Sequence, residues 1–150
     1  MSTHRTAELQ VERWLRHQGL VPHRLEHRRF HDRKTPDFRV DDGKGRSFLV
    51  EVKGLTGTAV GPFALAAKIA RARAQFDAIN HGGHLANVLV LVTKQPARLA
   101  PLLDDRATAG VDLTVGLAND TPMRAVVLHR RPNSRHGSYL EAVLPLGETP

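Results

Sequence analysis

The segment at residues 47–53 joins an apolar run to two charged residues, which restricts the folds open to this chain. Phe48–Val50 is apolar on consecutive positions, as in a central strand that is covered on both faces. Glu51 and Lys53 are two positions apart, so their side chains project from the same face of that strand. Charged groups are costly at the end of a buried strand unless they have partners or a function. The segment therefore predicts an internal strand that ends in a functional site.

The preceding residues predict a second strand that is paired with the first. Asp37–Val40 alternates like a strand, and Pro36 just before it favours a strand start, because proline cannot extend a ladder. The residues between the two strands, Asp41–Gly45, have the composition of a tight turn. A β-hairpin with normal pairing would place Asp37 across from the face that carries Glu51.

Periodicity predicts the remaining elements. Ala7, Val11, Trp14, Leu15 and Gln18 recur at helical spacing, and Gly19 supplies a stop. Leu65, Ile69, Ala72, Phe76 and Ile79 form a second helical stripe, which ends at His81-Gly82-Gly83. The predicted helices are 4–18, 64–80 and a short one at 97–106; the predicted strands are 22–30, 37–40, 47–53, 88–93, 111–117, 124–130 and 139–144.

The order of these elements predicts one α/β domain over residues 1–150. No repeat, low-complexity tract or long Pro/Gly linker divides the chain. The order α-β-β-β-α-β, followed by further strands, favours a mixed central sheet that is flanked by helices.

The charge of the chain favours a polyanionic partner. Lys and Arg number 22 against 15 Asp and Glu, which gives a formal net charge of +7. Such an excess attracts nucleic acid, although a basic protein without a polyanionic partner has the same composition. No cysteine is present, so disulfides and thiolate zinc sites are excluded. No apolar run is long enough for a signal peptide or a membrane span, and we therefore expect a soluble, cytoplasmic protein.

Asp37, Glu51 and Lys53 have the chemistry that phosphodiester hydrolysis needs. Mg²⁺ prefers oxygen ligands and often takes only one or two carboxylates, with water and substrate phosphate completing its shell. A nearby lysine can position or deprotonate water, or hold a phosphate oxygen. The alternative is a surface ion pair between Glu51 and Lys53, worth little. Because charges at the end of an apolar strand need a reason, we favour the functional interpretation.

With Pro36-Asp37 followed by Glu51-Val52-Lys53, the sequence resembles the PD-(D/E)xK nuclease superfamily. The likeness covers about the first 80 residues and implies a restriction-endonuclease-like core. In layout it is similar to archaeal-type Holliday junction resolvases. The resemblance implies that Asp37 and Glu51 bind the metal, that the backbone carbonyl of Val52 is a further ligand, and that Lys53 is the catalytic lysine.

The same resemblance implies an acidic residue on the first helix, eleven positions before the glycine that ends it. Glu8 has this spacing from Gly19. Glu12 is the rival, but helical periodicity places Glu8 nearer to the apolar stripe. We therefore expect Glu8 to complete the acidic set as a metal ligand, while Glu12 remains an alternative.

Two groups of residues are candidates for nucleic-acid binding. Lys68, Arg71 and Gln75 lie at steps of three and four on one face of the second helix, where Gln75 would orient water or bind phosphate. The densest basic stretch lies just before Asp37 and contains Arg24, Arg28, Arg29, Arg33 and Lys34. For both groups the alternative is a solvated basic surface.

The histidines and aromatic residues do not indicate a zinc site or a surface that stacks single-stranded bases. His23, His27 and His31 are spaced by four in a segment that is not predicted as helix, and no histidine fits a zinc signature. Rows of aromatic residues that would stack single-stranded bases are absent.

We therefore expect a Mg²⁺- or Mn²⁺-dependent endonuclease. We favour DNA over RNA only because members of this superfamily commonly act on DNA. The alternatives are an RNA- or tRNA-cleaving nuclease of the same fold, an inactive nucleic-acid-binding module, and a subunit of a recombination or defence complex. A homodimer is plausible, since cutting two strands commonly uses two sites.

Overall fold

The computed structural model describes residues 3–25, 34–55, 61–119 and 123–148. Its elements, in chain order, are α1 (Thr3–His17), β1 (Val21–Arg24), β2 (Phe38–Asp41), β3 (Ser47–Gly54), α2 (Pro62–Asp77), β4 (Asn87–Thr93), a 3-10 helix (Pro96–Leu102), β5 (Leu113–Ala118), β6 (Ala125–Arg130), α3 (Gly137–Val143) and β7 (Gly147–Glu148). No helix in these ranges is long and apolar enough to cross a membrane.

The strands of the described ranges form one mixed sheet whose spatial order is the order in the chain. β1, β2 and β3 pair antiparallel, β3, β4 and β5 pair parallel, β6 pairs antiparallel with β5, and the two-residue β7 pairs parallel with β6. The parallel centre is buried on both faces, which explains its largely apolar sequence. The α/β class and the mixed, helix-flanked sheet predicted from sequence are thereby confirmed.

Helices cover both faces of the sheet. One core joins α1 and α3 to residues such as Phe48, Val50 and Val88. The other joins α2 and the 3-10 helix to the opposite face, including Leu49 and Leu89. Because neighbouring residues of β3 enter different cores, Glu51 and Lys53 lie on the face that α2 covers.

Most predicted elements are confirmed within a few residues. The stop of α1 is confirmed at Gly19, whose φ of 80° suits glycine. The hairpin between β2 and β3 is also confirmed, with Gly45 at a φ of 91° in its turn. Two stripe residues are not buried: Gln18 is exposed because the helix has ended, and Ile79 is 37% exposed beyond the end of α2.

The strand predicted at 139–144 is wrong, because this segment is the helix α3. Tyr139, Leu140, Val143 and Leu144 recur at helical spacing, and they pack in the core that α1 shares. The strand predicted at 22–30 is shorter: β1 ends at Arg24, and residues 26–33 lie outside the described ranges.

Candidate active site

The end of the β2–β3 ladder is where the acidic residues meet. Phe38 pairs with Val50, so continuing the register would place Pro36 opposite Val52. Proline has no N–H and cannot extend the ladder. Instead, the side chain of Asp37 accepts a hydrogen bond at Oδ2 from the backbone N–H of Val52, at 2.8 Å. In return, the N–H of Asp37 donates to Oε1 of Glu51 at 3.1 Å.

The same register orients the carbonyl of Val52. Leu49 donates its N–H to Ala86, just before β4, and Leu55 donates to Val92 of β4. The residues that alternate with them in β3 therefore direct their N–H groups to the side of β2. The N–H and C=O of one strand residue point to the same side, and the N–H of Val52 is bound by Asp37. The carbonyl of Val52 is therefore directed to the side of Pro36, which has no N–H to donate to it.

Three carboxyl groups are buried together at this strand end. Glu51 is 0% exposed, Asp37 is 2% exposed and Glu8 is 5% exposed. The pKa of Asp37 is raised from 3.8 to about 6, first by burial, then by the charge of Glu51 and by a hydrogen bond with its carboxyl. Hydrogen bonds with the side chain of Glu8 and the backbone of Val52 oppose this shift.

The structure separates the two candidate acids of α1. Glu8 is hydrogen-bonded to Asp37, and one nitrogen of Arg24 lies 3.7 Å from its carboxylate. Glu12 lies farther out, where it forms ion pairs with Arg24 at 2.9 Å and Arg16 at 3.4 Å. The structure thus brings Glu8 into the cluster and places Glu12 in ion pairs beside it.

Lys53 lies between the acids and α2. Its Nζ is 2.9 Å from Oε2 of Glu51, and it donates a hydrogen bond of 2.9 Å to Oε1 of Gln75. Gln75 in turn donates to the backbone carbonyl of Thr35 at 3.3 Å, which ties α2 to the segment before β2. Because the side chain of Lys53 is only 14% exposed, these contacts hold its ammonium group at the edge of the acidic cluster.

The predicted nucleic-acid contacts that the structure describes, other than Gln75, are not part of this cluster. Lys68 is half-buried and Arg71 is exposed, both on the side of α2 that carries Gln75. Lys34 is exposed just before the site. Arg28, Arg29 and Arg33 lie outside the described residues, as do His27 and His31.

Sequence reasoning assigned Arg24 to a basic stretch and missed its position among the acids. Its guanidinium lies 5.3 Å from the ring centroid of Phe38 and contacts both acids of α1. The pairing of β1 with β2, at Arg24 and Phe38, is the signal that would have located it.

The donor set suits a hard cation. Among the described residues, no group of three or more His, Cys, Asp or Glu side chains is arranged to hold a metal. Mg²⁺ needs fewer protein ligands, since it keeps several waters and takes one or two carboxylates. Asp37 and Glu51, with the carbonyl of Val52 beside them, provide such a partial shell of oxygen atoms. The pKa of Asp37 is raised to about 6 by burial first and by the charge of Glu51 second, and a bound cation would favour the ionised form of both carboxyl groups.

Comparison with protein-family models, with curated proteins and with solved structures finds no match to this chain. Its function is therefore inferred from the residues of the site.

Proposed function

We propose that this chain is a metal-dependent nuclease of the PD-(D/E)xK type, with a restriction-endonuclease-like core. One observation carries the proposal: Asp37 and Glu51 are buried side by side at the end of β3, and Lys53 contacts Glu51 at 2.9 Å. A surface ion pair would not need a second buried carboxylate or a lysine that is bound by a buried glutamine. This combination of groups suits metal-assisted phosphodiester hydrolysis, since it offers ligands for a cation and a positive charge near the attacking water or the phosphate.

Asp37, Glu51 and the carbonyl of Val52 would hold Mg²⁺ or Mn²⁺, and Glu8 would complete the acidic set. When bound, such a cation stabilises charge on the phosphate and lowers the pKa of its bound water. Glu8 also holds Asp37 in place through their hydrogen bond. Protein ligands bind a cation in their ionised form, so the metal competes with the proton on Asp37.

Lys53 is the residue that would contact the attacking water or a phosphate oxygen. Glu51 and Gln75 hold its ammonium group from two sides, which fixes its position before substrate arrives. Gln75 therefore acts as a positioning residue for Lys53, in addition to any contact with water or phosphate. Such pre-positioned charge is where much of enzymatic rate enhancement originates.

The net charge of +7 supports a nucleic acid as the substrate. Lys34, Lys68 and Arg71 would contact its backbone, together with Arg28, Arg29 and Arg33 of the basic stretch. We propose DNA as the substrate on the resemblance alone, and RNA is the alternative. An inactive binding module, a subunit of a recombination or defence complex and a homodimer are the other possibilities that experiment must separate.

The test is a cleavage assay on plasmid DNA and on structured RNA with Mg²⁺, Mn²⁺ or EDTA. We expect cleavage that needs the metal and that is lost in Asp37→Asn and Lys53→Ala. Glu8→Gln and Glu12→Gln form a matched pair on one helix, since each replaces one acid by its neutral isostere. We expect Glu8→Gln to lower kcat by about 100-fold or more, whereas Glu12→Gln changes it less than about threefold.

Three results would overturn this proposal. Cleavage in EDTA excludes a metal-dependent mechanism, and cleavage that survives Lys53→Ala excludes the assigned lysine. Salt-sensitive binding without cleavage of either nucleic acid favours the inactive binding module. Separately from these three results, a loss of kcat in Glu8→Gln of less than about threefold, as expected for Glu12→Gln, would remove Glu8 from the site and leave the rest of the proposal standing.

A further inference from the structure

Among the described residues, no helix lies over one face of the β1–β2 edge of the sheet. Along β1 and β2, buried residues alternate with exposed ones: Pro22, Phe38 and Val40 are buried on the side of α1. On the other side, His23 and Arg39 are exposed. Arg39 pairs with Leu49, which packs in the core under α2. α2 therefore covers β3 but not β2 and β1, the two strands at this edge of the sheet.

This uncovered face leads directly to the acidic site. Arg39 pairs with Leu49, whose side chain lies on the same face of β3 as those of Glu51 and Lys53, so Arg39 projects from the face that carries Glu51. Two residues of an antiparallel strand span about 7 Å. Arg39 is therefore a near neighbour of the cluster but is not one of its members.

The charge on this face is positive at Arg39. Its Nε donates to Oγ of Ser47 at 3.1 Å, a contact that orients the guanidinium without neutralising it. The nearest acid along the strand, Asp41, is engaged by His23 at 2.9 Å. On the far side of the cluster, Lys68 and Arg71 follow the face of α2 that carries Gln75. Cationic side chains thus lie on β2 and on α2, the two elements that contribute Arg39 and Gln75 beside the acidic cluster.

We propose that the uncovered face of β1 and β2 binds the sugar-phosphate backbone of the nucleic-acid strand that is cut, with Arg39 contacting a phosphate next to the scissile one. This rests on the proposed nuclease function and adds to it the path of the substrate. Guanidinium groups bind phosphate with two parallel hydrogen bonds, and Arg39 keeps its terminal nitrogens for that purpose. The strand then runs from α2, across Asp37 and Glu51, to the open edge of the sheet.

The experiment measures how salt weakens binding of a short DNA duplex, and of a single strand of the same sequence, in EDTA so that nothing is cut. Each phosphate contact adds about 0.9 to the slope of log K against log salt for duplex DNA, and about 0.7 for a single strand. We expect Arg39→Ala to reduce the slope by one such contact and to weaken binding severalfold. Arg39→Lys, which keeps the charge, should retain most of the slope.

Arg13→Ala is the matched control, because Arg13 is exposed on α1, which packs on the other face of the sheet. It removes the same charge from the molecule and should leave the slope unchanged. Equal changes in Arg13→Ala and Arg39→Ala would indicate net charge alone and overturn the inference. An unchanged slope in Arg39→Ala, with a wild type that cuts DNA, overturns the inference and leaves the nuclease proposal standing. A wild type that binds neither nucleic acid overturns both.

Discussion

The buried charge of Asp37 lowers the stability of the fold, and the proposed metal binding requires the same charge. Its carboxyl is 2% exposed beside Glu51, and burial raises its pKa to about 6. At neutral pH the carboxylate is therefore held in its ionised form against the preference of its surroundings. Burial disfavours this charge, so the ionised form is a cost to the fold that the proposed metal binding would offset.

Replacing Asp37 by Asn removes the charge and keeps an oxygen that accepts the N–H of Val52. At pH 8 in EDTA, we expect the free energy of unfolding of Asp37→Asn, measured in urea, to exceed that of the wild type by on the order of 1–3 kcal/mol. The same substitution should abolish cleavage, since the ligand is lost.

Asp37→Ala is the control, because it leaves the N–H of Val52 without its acceptor, and it should be less stable than Asp37→Asn. A variant Asp37→Asn that is less stable than the wild type in EDTA would show that the ionised carboxylate is not a burden to the fold.

The helices and strands differ in how far their sequences predict them. α1 and β3 were predicted well because one apolar stripe and one apolar run each specify a single periodicity. Residues 139–144 were not, since a segment this short fits period two and period 3.6 almost equally. Leu140 and Leu144 pack from one side of α3 into the core that α1 shares, and this packing stabilises the helix.

Two substitutions in α3 separate the helix from the strand. A strand would place Ala142 on the same face as Leu140 and Leu144, whereas in the helix Ala142 is exposed. We therefore expect Ala142→Asp to change the free energy of unfolding by less than about 0.5 kcal/mol. Leu140→Ala should lower it by about 2–5 kcal/mol, because Leu140 is 1% exposed.

Urea unfolding of both variants measures the two effects. Glu141→Ala, on an exposed position beside them, is the control and should be neutral. A large loss in Ala142→Asp together with a small one in Leu140→Ala would contradict the helix.

At the scale of the whole molecule, the site is assembled from elements that are distant in sequence. Spacing within one hairpin was enough to bring Asp37, Glu51 and Lys53 together, because antiparallel register is a local property. The contact of Gln75 with Lys53 and the ion pair of Arg24 with Glu12 depend on how α2 and β1 lie against the sheet. No local pattern encodes that placement, and sequence reasoning therefore proposed Gln75 with a general function and left Arg24 in a basic stretch.

We expect the buried acids to link the stability of the whole protein to pH and, under the proposed function, to metal. A carboxyl whose pKa is about 6 in the folded state and 3.8 in the unfolded state binds more protons when folded, between these two values. Stability without metal should therefore fall as the pH rises from about 4 to about 6, by up to about 3 kcal/mol from Asp37. The unfolding free energy in EDTA, measured across this range, tests the sign.

Mg²⁺ should reverse this loss at high pH, because its ligands must be ionised and it binds only the folded chain. At pH 8, Mg²⁺ at 100 times its Kd should raise the free energy of unfolding by about 2.7 kcal/mol. The same Mg²⁺ concentration should raise it much less at pH 5. Asp37→Asn is the matched variant, since it lacks both the titrating group and the ligand, and Mg²⁺ should not stabilise it. If Mg²⁺ stabilised the wild type equally at both pH values, or stabilised Asp37→Asn, the cation would bind elsewhere on the protein. Either result would show that the buried acids do not form the metal site.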